Sequence, residues 1–381
     1  MPASLRIAVV GLHFGAAFAP IYQKHPDVEK VILCEQDEPL LHRVSEQLGI
    51  AERFNGLDEL LQADVCDAVH LFTPVPLHAE HTLAVLGAGK HCACAVPMAT
   101  ELDDLRRIVA AQQACGKNYM MMETGAYSRE FFFVQDLLAR GEMGALTFLR
   151  GTYHQDLEGS YPAYWRALPP MHYVTHALSP LLALAQKRVA TVSCLGSGRL
   201  CPDLQQPDGN SFPLQTAIFQ LAESTLCAEV TRSWFQTARD YIEAFSVYGD
   251  KRGFEWQQLD DEDPVLFTLQ PLQSEEQRGR HATAERVQPP FRPDLVPAAI
   301  APFANGGHGG SHPHLVHEFV RSIVEQRPSA IDTVTAANWT APGICAHESA
   351  LRGGELVAVP DFGTPLEKPI QPMEQRNGTA A

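Results

Sequence analysis

No apolar run in this sequence reaches the ~20 residues that a membrane-spanning helix requires, so no membrane partner is expected. Basic residues are scarce beside acidic ones: 29 Lys and Arg against 45 Asp and Glu, a net charge of −16. Nucleic acids and anionic surfaces need a concentrated basic face, so neither is expected as a partner. Charged residues make up only 19% and hydrophobic residues 45%, which excludes global disorder and permits a sizeable core. The nine cysteines are scattered. Only Cys92 and Cys94 lie close, and Cys-x-Cys is not a standard zinc spacing. An apolar strand begins by Leu5, which leaves no room for a signal peptide ahead of it. Reduced thiols and a cytoplasmic location are the expectation. There is no internal repeat and no low-complexity segment.

What is present is alternation. LRIAVV (5–10), VEKVILCEQD (28–37), DAVHLFTP (67–74), KHCACAVP (90–97) and the stretch about Met120–Glu123 read as short buried strands with helical patterns between them. That order predicts a parallel, doubly wound sheet. From about Gly144 the strands lengthen and follow one another directly: TFLRGTYH, TVSCLGSG, LQTAIFQLA, TLCAEVTRSW and YIEAFSVYGDKRGFEW. They predict an α+β domain with an open, mostly antiparallel sheet. Residues 259–305 read as a long loop, followed by helices over 312–326 and 333–351 and a terminal strand. The expected division is 1–125 for a dinucleotide-binding domain, 126–365 for a substrate domain, and 366–381 for a loose tail. The last helix and strand could pack back toward the first domain.

The segment VVGLHFGAAF (9–18) follows the first strand. A dinucleotide loop wants glycine for the tight turn, for close approach of a pyrophosphate and for helix–strand packing. Gly11 fills the first place, His13 stands in the second and Ala16 in the third, with Phe14 between them. Glu35, at the end of the second strand, is placed to accept bonds from ribose hydroxyls and to repel a 2′-phosphate, which favours NAD over NADP. Thr73 and Pro74 end the next strand at the carboxyl edge, where ligands of such sheets bind.

The glycine loop, TPVPLH (73–78), GKHCACAVP (89–97) and VYGDKRGFEW (247–256) resemble the glucose–fructose oxidoreductase/inositol dehydrogenase (Gfo/Idh/MocA) family. The resemblance implies a Rossmann domain plus an open sheet domain that carries the substrate, and a homodimer or homotetramer. His78, Val96 and Pro97 join Gly11, His13, Phe14, Glu35, Thr73 and Pro74 as its cofactor-binding positions. Most members carry Glu-Lys-Pro where this chain has Ala95-Val96-Pro97, and that lysine assists deprotonation of a substrate hydroxyl. Valine cannot move a proton. MMMETGAYSRE (120–130), GTYHQDL (151–157), HYVTHALSP (172–180) and GHGGSH (307–312) are similar to segments of the family's NAD-dependent oxidative glycosidases, which also have Val-Pro there.

That branch implies transient oxidation of a sugar at C3, loss of the acidified C2 proton with departure of the C1 substituent, addition of water, and re-reduction with tightly bound, recycled NAD. Glucosides, N-acetylgalactosaminides and sulfoquinovosides are its candidate substrates. His172 and His176 are four apart on a stretch read as helical, so they are expected to share a face, with Tyr173 beside them. By the resemblance, His176 is the base at the C3 hydroxyl and Tyr173 the group moving the C2 proton. Glu123, at a strand's carboxyl end, matches the branch's acidic residue, and Tyr127 is a candidate for the sugar pocket. Alternation along GTYHQDL puts Tyr153 and Gln155 on one face, His154 and Asp156 on the other. His154 and Asp156 are expected to face substrate, and His172, His308 and His312 to bind it. His308, His312, His314 and His317 suggest a metal by count, but Glu318 is the one acid at useful spacing and no metal is expected. Asn338-Trp339-Thr340 reads as core packing. Arg150, Arg166, Arg199, Arg232 and Arg239 could meet an anionic sugar, with surface exposure the plainer explanation. Two other functions stay open: a sugar or cyclitol dehydrogenase with His176 as base, and a non-catalytic NAD-bound sensor or structural subunit.

Overall fold

A computed structural model describes residues 4–159, 161–205 and 209–364. The tail expected over 366–381 lies outside them. Two units divide the chain: 1–128, 291–341 and 362–381 in the first, 129–290 and 342–361 in the second. The first unit is thus completed by residues from the chain's last third, and the 126–365 segment expected to be one domain contributes to both.

The first unit holds six parallel strands: β1 (Leu5–Val10), β2 (Val28–Cys34), β3 (Arg53–Phe54), β4 (Ala68–Leu71), β5 (His91–Cys94) and β6 (Tyr119–Met121), in the spatial order β3-β2-β1-β4-β5-β6. The order reverses between β1 and β4, so the crevice beyond their carboxyl ends is the ligand position of a doubly wound sheet. Ile7, Ala8, Val9, Val69, Leu71, Ala93 and Met120 are fully buried, as near-continuous apolar runs covered on both faces should be.

The second unit has a nine-stranded sheet: β7 (Leu146–His154), β8 (Val189–Ser197), β9 (Leu214–Leu221), β10 (Cys227–Ser233), β11 (Ile242–Gly249), β12 (Arg252–Glu255), β13 (Val265–Leu269), β14 (Ala282–Arg286) and β15 (Val357–Ala358). Their order is β14-β13-β12-β11-β7-β10-β9-β8-β15. Every pairing is antiparallel except β10 with β7. β13 and β14 fall inside the stretch read as loop. All of β14 is exposed, so this edge strand carries no inward apolar alternation for a reader to find. Among the described residues no helix is long and apolar enough to cross a membrane.

One face of this sheet is covered by the helix Thr175–Ala185, which is buried from Thr175 to Leu184. Close approach is possible because β7 carries Gly151 under it. A Cβ there would stand 2.4 Å from the Ala177 carbonyl oxygen, inside contact distance of a backbone that cannot yield. Gly151→Leu is expected to destabilise the protein by about 1–3 kcal/mol or more, read as a lower denaturant midpoint. An unchanged midpoint would show that the helix is not seated on β7 in this way.

Candidate functional site

In the first unit the chain turns at the end of β1 through Gly11, at φ 89°. A Cβ on Gly11 would lie 2.6 Å from the Phe72 carbonyl oxygen, so both its dihedral and the nearness of β4 require glycine. Gly15 is the second constrained position. Its Cβ would stand 2.7 Å from the Phe72 ring and 2.9 Å from the Val9 side chain. The glycine that permits helix–strand packing is therefore Gly15, one residue before the Ala16 assigned that place from the motif spacing. Leu12 N–H donates to Glu35 Oε2 at 2.8 Å and Asp37 N–H to Oε1 at 3.1 Å. Glu35 thus ties the loop to the end of β2 and keeps lone pairs for a ribose diol. His13 is exposed and Phe14 is 40% exposed.

Beyond β4 and β5, His78 joins two strand ends. Its Nδ1 is 2.7 Å from the Pro97 carbonyl and its Nε2 2.8 Å from that of Thr73. Burial lowers its proton affinity and the two carbonyls raise it. A neutral imidazole has one N–H and donates to one of them. His81 Nδ1 lies 3.0 Å from Thr73 Oγ1. Pro74 leads into a tight turn, Val75–Leu77, and Val96 is buried at the β5 end. Glu123, fully buried after β6, accepts from Gly125 N–H at 2.9 Å, and Tyr127 is buried on the turn that follows.

Two of the four histidines of 308–317 pair with each other, and a third pairs with His25. His308 Nδ1 is 3.2 Å from His312 Nε2, whereas His317 Nδ1 is 3.0 Å from His25 Nε2. No cluster of His, Cys, Asp and Glu fit to hold a metal occurs among the described residues. His308 and His312 pack edge-on against Phe14, at 5.6 and 5.7 Å, and His312 lies 4.3 Å from the Phe18 ring. They wall the nucleotide loop through Phe14 and Phe18. Asn338 bonds the backbone of Phe362 and Gly363 and Trp339 is buried, as a packing role requires.

In the second unit, strand register sets side chains in a row on the helix-covered face. Glu243 is opposite Tyr153, Tyr153 opposite Arg232, and Arg232 opposite Gln215. Directly opposed residues point to the same side. Arg232 is wholly buried, with its guanidinium carbon 3.5 Å from the Tyr153 ring centre and 3.6 Å from that of Trp234. It donates to the Tyr153 carbonyl at 3.3 Å, to the Ser233 carbonyl and to Gln155 Oε1 at 3.2 Å. Burial brings its proton affinity down to about 10, still charged at neutral pH. Surface exposure, the plainer explanation for the arginines, fails for this one.

His176, on the covering helix, is edge-on to Tyr153 at 5.5 Å and to Tyr173 at 5.3 Å, with Nε2 4.0 Å from Glu243 Oε1. Tyr173 also lies 5.1 Å from Trp165 and 5.5 Å from Trp234. The expected pairing of His172 with His176 does not occur. His172 belongs to a separate tight turn, Pro170–Tyr173, before a helix that starts at Thr175. It meets His347 at 5.3 Å, and His347 contacts Gln215 at 3.0 Å. The alternation along β7 is as read, but Tyr153 shares its face with His176. His154 is on the opposite face, 2.8 Å from Ser233 Oγ, and Asp156 is exposed and accepts from Glu158 N–H. Tyr153, Trp234, Tyr241 and Glu243 were not singled out as site residues, and Arg232 was named only among five arginines that could meet an anionic sugar. The one local signal was Tyr241-x-Glu243, two polar groups on one strand face.

Known proteins resemble this chain in sequence and in fold. Residues 5–123 match the Gfo/Idh/MocA family, an oxidoreductase family with NAD-binding Rossmann fold. A glycosyl hydrolase family 109 protein of Saccharopolyspora erythraea is 22% identical, covering 94% of this chain and 83% of its own. One from Porphyromonas gingivalis is also 22% identical, over 94% and 84%. In fold, levoglucosan dehydrogenase in complex with NADH and levoglucosan superposes with a TM-score of 0.76 at 18% identity, over 94% of this chain and 100% of that one. An oxidoreductase domain protein from Kribbella flavida gives 0.77 at 20%, over 94% and 100%. The cofactor is NAD, and the cradle at Gly11, Gly15 and Glu35 fits it.

Two predictions follow from the histidines. His78→Gln removes a tie between the ends of β4 and β5, and NADH affinity measured by fluorescence titration should fall about tenfold. Unchanged affinity would free His78 from that role. Burial, the largest cause each time, holds His25, His312, His314, His317 and His347 near pH 4 and His172 near 3. Unfolding returns them to about 6.5, so their contribution is complete above that pH and is lost as pH falls toward 4. The thermal midpoint should be level from pH 8 to 7 and drop steeply below 6; a level profile to pH 4.5 would contradict these burials.

Proposed function

From a chain whose residues 5–123 carry the NAD-binding Rossmann fold of the Gfo/Idh/MocA oxidoreductases, we propose a glycoside hydrolase that works by transient oxidation at C3 of the sugar. The observation that carries this is a division of labour. The strand end at Ala95-Val96-Pro97 has no group able to take a proton, while His176, Tyr173, Tyr153 and Glu243 gather proton-handling groups in the second unit. The curated relatives' name, glycosyl hydrolase family 109, supports hydrolysis over net oxidation.

When bound, NAD supplies a reversible hydride acceptor, and with it the ketone that acidifies the neighbouring C–H. His176 accepts the proton of the C3 hydroxyl as that carbon is oxidised and returns it on re-reduction, a task suited to imidazole. Tyr173 removes the C2 proton as the C1–O bond breaks, and the leaving oxygen is protonated. Water then adds at C1 and C2 regains a proton, so hydrolysis is the net result. A phenol needs help to act as a base at neutral pH, and the buried charge of Arg232, 3.5 Å from the Tyr153 ring centre, offsets part of the burial and of the Glu243 charge that hold the proton on Tyr153. Glu35 at the nucleotide loop supports NAD over NADP. Val96, standing where most of the family has lysine, supports chemistry in which that position takes no proton. A homodimer or homotetramer is proposed as the working form, and light scattering should return two or four times 41.9 kDa.

Aryl glycosides hydrolysed in D2O test the reading. Released sugar should carry deuterium at C2 with no net NADH, and His176→Ala should abolish release while leaving NADH bound. Oxidation of free sugars with accumulating NADH, and no cleavage of any glycoside, would make the chain a sugar dehydrogenase with His176 as its base.

A further inference from the structure

His176 does not stand alone on its face of the second sheet. Glu243 reaches it from β11, and Tyr241, two residues earlier, donates its phenol to Glu243 Oε1. That same oxygen is 4.0 Å from His176 Nε2. The side chains of Glu243 and His176 are 14% and 8% exposed, so solvent screens little of their interaction. At 4.0 Å the two atoms attract when the imidazole is charged, yet they are too far apart for a direct hydrogen bond.

We propose that Glu243 is the positioning residue for His176: its carboxylate, held in place by the Tyr241 phenol, orients the imidazole and stabilises the charge it gains on taking a proton. The proposal rests on His176 being the base in the reaction above. The proton moves from the substrate hydroxyl oxygen to the imidazole, which becomes a cation; the same proton returns when the hydroxyl is remade. A buried imidazolium with no anion beside it would be costly. The surroundings otherwise oppose that charge. Tyr173 faces His176 from the turn before its helix and Tyr153 from β7. Arg232, a permanent cation from β10, lies directly behind the Tyr153 ring. Glu243 is the anion in this group, and its position opposite Tyr153 is set by the register of β11 on β7.

Tyr241 exposes nearly half of its surface, but its hydroxyl is turned to the carboxylate. Burial and the adjacent negative charge of Glu243 hold its proton on firmly. It therefore serves as a fixed donor, which leaves the charge on Glu243 and limits where Oε1 can go.

The test follows the His176 imidazole directly and needs no substrate. Full-length protein labelled with 15N in its histidines is titrated by long-range proton–nitrogen spectra, with His176→Gln identifying the resonance. Glu243→Gln should lower the His176 midpoint by about one pH unit, a tenfold loss of proton affinity. Glu243→Asp should keep most of it, and Tyr241→Phe should shift the midpoint in the same direction by less. A midpoint unmoved in Glu243→Gln would overturn the proposal. Should that variant fail to fold, a midpoint unmoved in Tyr241→Phe would overturn it equally. If the midpoint moves as expected but no glycoside is cleaved and no sugar oxidised, the pairing stands and the reading of His176 as catalytic base fails.

Discussion

A guanidinium with no water around it is the constraint on which the second unit depends. Arg232 lies between the faces of Tyr153 and Trp234 and is wholly buried. Removing such an ion from water costs several kcal/mol. Each desolvated cation–π contact returns about 2 kcal/mol, and the donated bonds to two carbonyls and to Gln155 add more. The cation is tolerable only if all these partners hold their positions together. Its neighbours therefore have little freedom: Tyr153 and Trp234 are fixed as its walls, Gln155 as its acceptor, and through them Tyr173 and His176 as the next layer.

The row Glu243, Tyr153, Arg232, Gln215 explains how a sheet becomes a site. Four strands, β7 and the consecutive β9, β10 and β11, each contribute one polar residue to the row. Gln215 accepts from the Met171 N–H at 3.1 Å and so anchors the turn that carries His172 and Tyr173. Gly151 lets the helix bearing His176 descend onto the same face. Their partners lie beside the row: Tyr241 donates to Glu243, Gln155 accepts from Tyr153 and Arg232, and Gln215 meets Met171 and His347, and such bonding is what makes polar groups tolerable in a core.

The first unit was largely legible in the sequence, because a doubly wound sheet writes itself as short apolar runs with ligand-facing residues at their ends. Gly11, Glu35 and Thr73 stand where that pattern put them. Gly15 was missed because the motif spacing assigns its role one residue later, and only the nearness of Val9 and Phe72 reveals it. The family loop GHGGSH is what assigned His308 and His312 to sugar, and their packing on Phe14 and Phe18 is a tertiary fact beside that assignment. In the second unit Tyr173 and His176 were visible, whereas Glu243 and Tyr153 were not, and Arg232 was only one of five arginines that could meet an anionic sugar. Their significance comes from register across β11, β7, β10 and β9, and an arginine within TLCAEVTRSW reads locally as an outward residue. His172 was misplaced because spacing of four implies one helix face only when one helix spans both positions.

The account makes the buried cation the organiser of the proton-handling groups, and leaves NAD to the Gly11–Gly15 loop. The most direct measurement is kcat for release of sugar by Arg232→Met at saturating substrate, with NADH affinity determined on the same sample. The account predicts a fall of about 100-fold or more in kcat, with NADH affinity within about twofold of the unaltered protein. Turnover close to that of the unaltered protein would contradict it, because Tyr153, Tyr173 and His176 would then hold their places without the charge beneath them.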